Sequence, residues 1–149
     1  VFFIFHLGVI GVPLFLLAHN LFLEEKLGFA FFTLPPMLAD ILSWGVLATA
    51  GLLVLRRVAL PEVRILTTFH DYFILALTVA PFITGLVCRY DPAGYEAWLL
   101  IHIFMGELLL ILAPFTKLSH IVLFFMSRGQ IGMDYGIKRG GMKGTNMSW

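Results

Sequence analysis

The chain holds a single cysteine, Cys88, among 149 residues. A disulfide within the chain is therefore excluded. No Cys-x-x-Cys-His stretch occurs, which excludes covalently attached c-type haem, and one thiol cannot by itself hold a zinc ion or an iron–sulfur cluster. Charge is scarce as well. Charged residues make up 13% of the chain, against about 25% in an ordinary soluble domain. The formal net charge is +1, which gives no electrostatic footing for nucleic acid. Hydrophobic residues make up 60%, where about 45–50% is usual. These proportions exclude soluble and disordered classes and imply an integral membrane protein with one domain. An initiator methionine is also missing: Val1 opens inside an apolar run. The expectation is a piece of a longer chain, with upstream spans absent from it. No basic segment precedes that run, so it does not read as a cleavable signal peptide.

A membrane-spanning helix needs about 20 mostly apolar residues. Four segments qualify, at about residues 1–22, 37–55, 68–88 and 99–126. Each is a continuous apolar block without the alternation of a barrel strand, so the expected class is an all-α membrane bundle of four helices. The expected division is a transmembrane domain over 1–126 and a polar, Gly-rich C-terminal tail over 127–149. That tail is either a solvated end or a docking strap for a partner. The loop from Arg56 to Leu66 and the tail together carry seven Lys or Arg residues, and the opposite loops carry Lys26 and Arg89. By the positive-inside rule, the Arg56 loop and the C-terminus face the cytoplasm.

Five histidines are present, His6, His19, His70, His102 and His120. Ionisable side chains inside a span are costly and mark function by default. His102 and His120 stand 18 residues apart in the fourth segment. On one uninterrupted helix that is about five turns and about 27 Å, so both rings would leave the same face near opposite membrane surfaces. The first span runs antiparallel to the fourth. His6 then comes level with His120 on the inner side, and His19 with His102 on the outer side. Two His–His pairs at two depths are what two stacked bis-histidine b-type haems require, with His6 and His120 on the inner iron and His19 and His102 on the outer. The 13-residue separation of His6 and His19 does not fit an ideal helix, because it falls about 140° short of whole turns. Pro13 lies between them and can kink the helix and re-aim the later ring. His70, beside Asp71, reads as interfacial.

Small and charged residues extend this pattern. Gly8, Gly11 and Gly106 lie near the histidines and would let a flat macrocycle approach; helix–helix packing is the competing reading. Lys117 and Arg57, with Arg56 and Arg128, are candidates to neutralise haem propionates, or are ordinary positive-inside anchors. Asp40 is a candidate quinone-site carboxylate, and Glu24 shares that reading. Glu107 is either a proton group, a hydrogen-bond partner of a ligand imidazole or a polar helix contact.

The stretch His102-Ile-Phe-Met-Gly106 through Pro114-Phe115-Thr116-Lys117-Leu118-Ser119-His120 resembles the last span of the gamma subunit of respiratory nitrate reductase. That family has the same 18-residue His–His spacing, a Gly four residues after the first His and a Pro-Phe-Ser/Thr-Arg/Lys turn. Phe5-His6-Leu7-Gly8-Val9-Ile10-Gly11 is similar to its first-ligand segment. Arg56, Arg57 and Arg64, and Thr67-Thr68 into Asp71, also match. The resemblance covers about residues 1–125. It extends to the cytochrome b subunits of heterodisulfide reductase and of sulfate-reducer redox complexes, which the tail resembles more closely. It implies a five-span fold with one N-terminal span absent here, the same two histidine pairings and two b haems. Two departures stand out. The family's second first-helix ligand falls ten residues after the first, where this chain has Leu16. The lysine of its quinol site has no counterpart in the region from Pro36 to Asp40.

The expected function is electron transfer across the membrane. On the outer side the exchange partner would be menaquinone or a periplasmic multihaem cytochrome c. On the inner side it would be an iron–sulfur subunit docked on the Arg56 loop and tail. A proton-conducting or transporter-like subunit, or a structural anchor, is the alternative; neither accounts for the histidine spacing.

Overall fold

A computed structural model describes residues 1–91 and 93–135. Helix α1 spans Phe2–Phe15, α2 Leu17–Leu27, α3 Pro36–Ala59, α4 Pro61–Ile65, α5 Phe69–Tyr90, α6 Tyr95–Leu112 and α7 His120–Ile131, with a 3-10 turn at Lys117–Ser119. No strand occurs among the described residues. The class is an all-α, multi-pass membrane bundle. Helices α3, α5 and α6 are long and apolar enough to cross a membrane, and α1 with α2 makes a fourth span if the bent pair is counted as one. The chain divides into two compact units, Val1–Leu109 and Leu110–Trp149.

Local chemistry sets the helix ends. Pro36 occupies the first turn of α3, where a missing N–H costs nothing and the fixed φ suits a helix start. Leu60 is extended because Pro61 follows it, and Pro61 then opens the single turn of α4. Thr68 caps α5 in a reciprocal box: its side-chain oxygen accepts the Asp71 backbone N–H, while its own backbone N–H and hydroxyl donate to Asp71 Oδ2 at 2.8 and 2.9 Å.

In the first unit, α1 and α5 both pack against α3 around Phe5, Val12, Val46, Ala50, Leu53 and Phe82. Gly8 makes the close approach of α1 to α3 workable: a Cβ there would overlap Val46 Cγ2 and lie 3.1 Å from the Leu42 carbonyl oxygen. Buried hydroxyls return to their own helices, Ser43 to Ala39 O, Thr49 to Gly45 O and Thr78 to Ile74 O. In lipid, where no water competes, such back-bonding satisfies each donor. At the far end of α3, Asp40 Oδ1 meets Arg89 Nε at 2.6 Å, an ion pair that ties α3 to α5.

Two of the expected spans are not continuous helices. The first bends by 50° between α1 and α2, at Leu16. The fourth ends its long helix at Leu112 and resumes as α7 at His120. Pro114 lacks the N–H that would bond to Leu110 and crowds that carbonyl. Thr116 then starts a new turn, its hydroxyl accepting the Leu118 N–H at 3.4 Å. The five-turn phase relation between His102 and His120 therefore does not run through one helix. Helix α7 passes unbroken through Met126 and Ser127 to Ile131, and the expected tail beyond residue 135 lies outside the described residues.

Candidate metal centre

His19 owes its orientation to the break at Leu16. Leu16 is extended, with φ −70° and ψ 134°, so Val12 O keeps the Leu16 N–H while the carbonyls of Pro13, Leu14 and Phe15 lose their usual i+4 partners. Each finds another. Pro13 O accepts His19 Nδ1–H at 2.9 Å. Leu14 O accepts the Asn20 side-chain amide at 2.9 Å, and Leu16 O accepts the same amide at 3.2 Å. Phe15 O accepts the Leu34 N–H at 2.8 Å. Asn20 also accepts the Phe31 N–H through Oδ1, at 2.6 Å, and is 2% exposed. The rotation that seemed wrong on one ideal helix is supplied by this break, because His6 and His19 stand on different helices.

His102 projects from α6 toward α5. Its Nδ1–H donates to Pro81 O at 2.9 Å and lies 3.1 Å from Thr84 Oγ1. The His19 and His102 rings have centroids 6.0 Å apart and planes 15° from parallel. A carbonyl oxygen can only accept, so both rings carry their proton on Nδ1 and keep a lone pair on Nε2. Two imidazoles on opposite sides of one metal, with nitrogen–metal bonds of about 2.0–2.1 Å, have centroids about 6 Å apart. Ordinary aromatic pairs span that distance too. The distinguishing feature is that each Nδ1 is tied to a backbone carbonyl, the usual outer contact of a metal-ligating histidine.

The other two expected ligands share this local chemistry. His6 Nδ1 bonds Phe2 O at 2.8 Å, and its ring stands edge-on to Phe5. His120 Nδ1 bonds Lys117 O at 2.7 Å. His6 belongs to the first unit and His120 to the second, and the structure describes the units separately. The His70 ring lies beside Phe73. No group of three or more His, Cys, Asp or Glu side chains suited to a metal occurs among the described residues.

Around the histidines the smaller residues divide by role. Gly8 is occupied by contact with α3 and so serves helix packing. At Gly11 and Gly106 a Cβ would meet nothing within 4 Å, which leaves open space beside the backbone. Arg57 lies over the Tyr72 ring at 5.9 Å, and its Nη1 is buried without a hydrogen-bond partner among the described residues. Beside it a cavity of about 250 Å³ is lined by Phe2, Arg56, Arg57, Thr67 and Asp71 among others. Lys117 sits in the 3-10 turn whose carbonyl holds His120. Asp40 is committed to Arg89, so its carboxylate is a tie between helices. The sequence reading did not single out Asn20, Pro81, Thr84 or Gly85. An amide and a hydroxyl inside apolar runs were the available signal for the first and third.

No family model matches this chain. No solved structure matches it either. Over 151 residues it is 60% identical to a protein of Nitratidesulfovibrio vulgaris (strain Hildenborough), an alignment covering 99% of this chain and 66% of that protein. The chain thus spans slightly less than two thirds of the relative it matches.

Proposed function

We propose that this chain is a membrane cytochrome b subunit that carries electrons across a prokaryotic inner membrane through two bis-histidine b haems. The observation that carries the reading is the His19–His102 pair, with near-parallel rings at 6.0 Å and both Nδ1 atoms tied to proline carbonyls. The same Nδ1–carbonyl contact at His6 and His120 supports a second pair. Open space at Gly11 and Gly106 supports room for a flat group. The unpartnered Arg57 Nη1 supports a carboxylate partner such as a propionate, with Lys117 as a second basic contact. A haem with both axial positions filled exchanges single electrons and leaves no open position for oxygen. The protein's own part is to hold two imidazoles in the neutral Nδ1–H form, fix their planes and exclude water.

The resemblance to the nitrate reductase gamma subunit and its sulfate-reducer relatives supports the partners. These are menaquinone or a periplasmic multihaem cytochrome c outside, and an iron–sulfur subunit inside, on the Arg56 loop and the C-terminal tail. The distribution of basic residues supports a cytoplasmic C-terminus.

The test is a pyridine haemochrome spectrum with haem-to-protein stoichiometry on the purified assembly, c-type haem counted separately. Two b haems per chain are expected. No b haem overturns the reading.

A further inference from the structure

Three residues of α5 converge on the His102 ring. Pro81 O takes the Nδ1 proton at 2.9 Å. Thr84 Oγ1 lies 3.1 Å from the same nitrogen. The Thr84 hydroxyl hydrogen is directed back at Ala80 O or Pro81 O, at 3.0 and 3.1 Å, so an oxygen lone pair is left facing the imidazole. Gly85 follows Pro81 by one turn. Side chains on a helix tilt toward its N-terminus, so a residue with a Cβ at 85 would overhang the Pro81 carbonyl. That Cβ would lie 3.1 Å from His102 Cε1 and 3.3 Å from Nδ1. A carbonyl oxygen has two lone pairs and its own helix uses one; the glycine leaves the other open to the ring.

We propose that Pro81, Thr84 and Gly85 form a socket on α5 that fixes the tautomer, ring plane and electron donation of His102. Thr84 and Gly85 are thereby positioning residues that set the redox potential of the outer haem. This inference rests on the bis-histidine reading above. Two acceptors on one N–H draw the proton away from the ring and make Nε2 a stronger donor. A stronger donor favours the oxidised metal and lowers the potential.

The experiment is a redox titration, with haem count and low-spin ferric EPR, on the assembly carrying Thr84→Val, Thr84→Ser or Gly85→Ala. Thr84→Val should raise the potential of one b haem by up to about a tenfold change in its ferrous-to-ferric ratio, 59 mV for one electron. The other haem should not move, and Thr84→Ser should keep the original potential. Gly85→Ala should weaken retention of the same haem by about 10- to 100-fold, read as its loss on detergent washing. Its EPR signal should also change, since that anisotropy follows the angle between the two imidazole planes. Should Gly85→Ala fail to assemble, Thr84→Val decides. Two retained haems with unchanged potentials and EPR signals in Thr84→Val overturn the socket while leaving the bis-histidine reading intact. An unaltered protein without b haem overturns both.

Discussion

Asn20 Oδ1 accepts the Phe31 N–H at 2.6 Å while the same side chain's amide covers the carbonyls of Leu14 and Leu16. One buried side chain therefore closes the bend that aims His19 and ties the following loop to it. Replacing Asn20 by Leu orphans Leu14 O and the Phe31 N–H, while Leu16 O keeps the backbone N–H of residue 20 at 3.0 Å. Each buried orphan costs about 1–3 kcal/mol. The expected outcome is a clear fall in thermal unfolding temperature in detergent and, on the proposed function, loss of one b haem. A variant with unchanged melting and haem content would show that the bend does not need its clamp.

The pairing can be read one histidine at a time. His19→Ala and His102→Ala should remove the same b haem, judged by identical difference spectra and a fall from two haems to one. His6→Ala and His120→Ala should remove the other. His70→Ala should remove neither. Different spectra for His19→Ala and His102→Ala would contradict the pair on which the proposed function stands.

At Gly8 the α1 backbone comes so near Val46 of α3 that a Cβ would not fit. Gly8→Ala should destabilise the bundle by about 1–3 kcal/mol through overpacking. A Val46→Ala change on top of it should recover part of the loss, because residues in contact are not additive. Gly11→Ala, with open space around its Cβ, should cost the fold far less. Unfolding curves in mixed micelles distinguish the three. Equal destabilisation by Gly8→Ala and Gly11→Ala would count against the packing role of Gly8.

Asp40 is half of a partly exposed ion pair, and such pairs contribute about 0–1 kcal/mol. Asp40→Asn should therefore lower stability only slightly. If the proposed assembly exchanges electrons with a quinone, the pH profile of that turnover should stay where it was, because a carboxylate held by Arg89 is not a free proton donor. A displaced pH profile would make Asp40 a proton group of the reaction.

The fold class and the four apolar segments were legible in the sequence because membrane spans announce themselves by composition. The histidines were legible because an imidazole in lipid is costly. Helix continuity was not. The arithmetic that placed His102 and His120 on one face assumed that the chain stays helical through Pro114-Phe115-Thr116, although proline and threonine there are a stop and a cap. The break at Leu16 was not legible either, since Pro13, the residue expected to kink this span, stays inside α1. The break is stable because Asn20, His19 and the Leu34 N–H, drawn from up to 19 residues downstream of Phe15, repair it. The socket on α5 was illegible for the same reason: Gly85 matters through a ring that lies 17 residues away in the chain.

Helix α6 carries His102 yet has no buried residue of its own. In lipid the hydrophobic effect supplies no attraction between helices, so polar ties count for more there. The His102 Nδ1 contacts to Pro81 O and Thr84 Oγ1, at 2.9 and 3.1 Å, make this imidazole a latch that holds its own helix to α5.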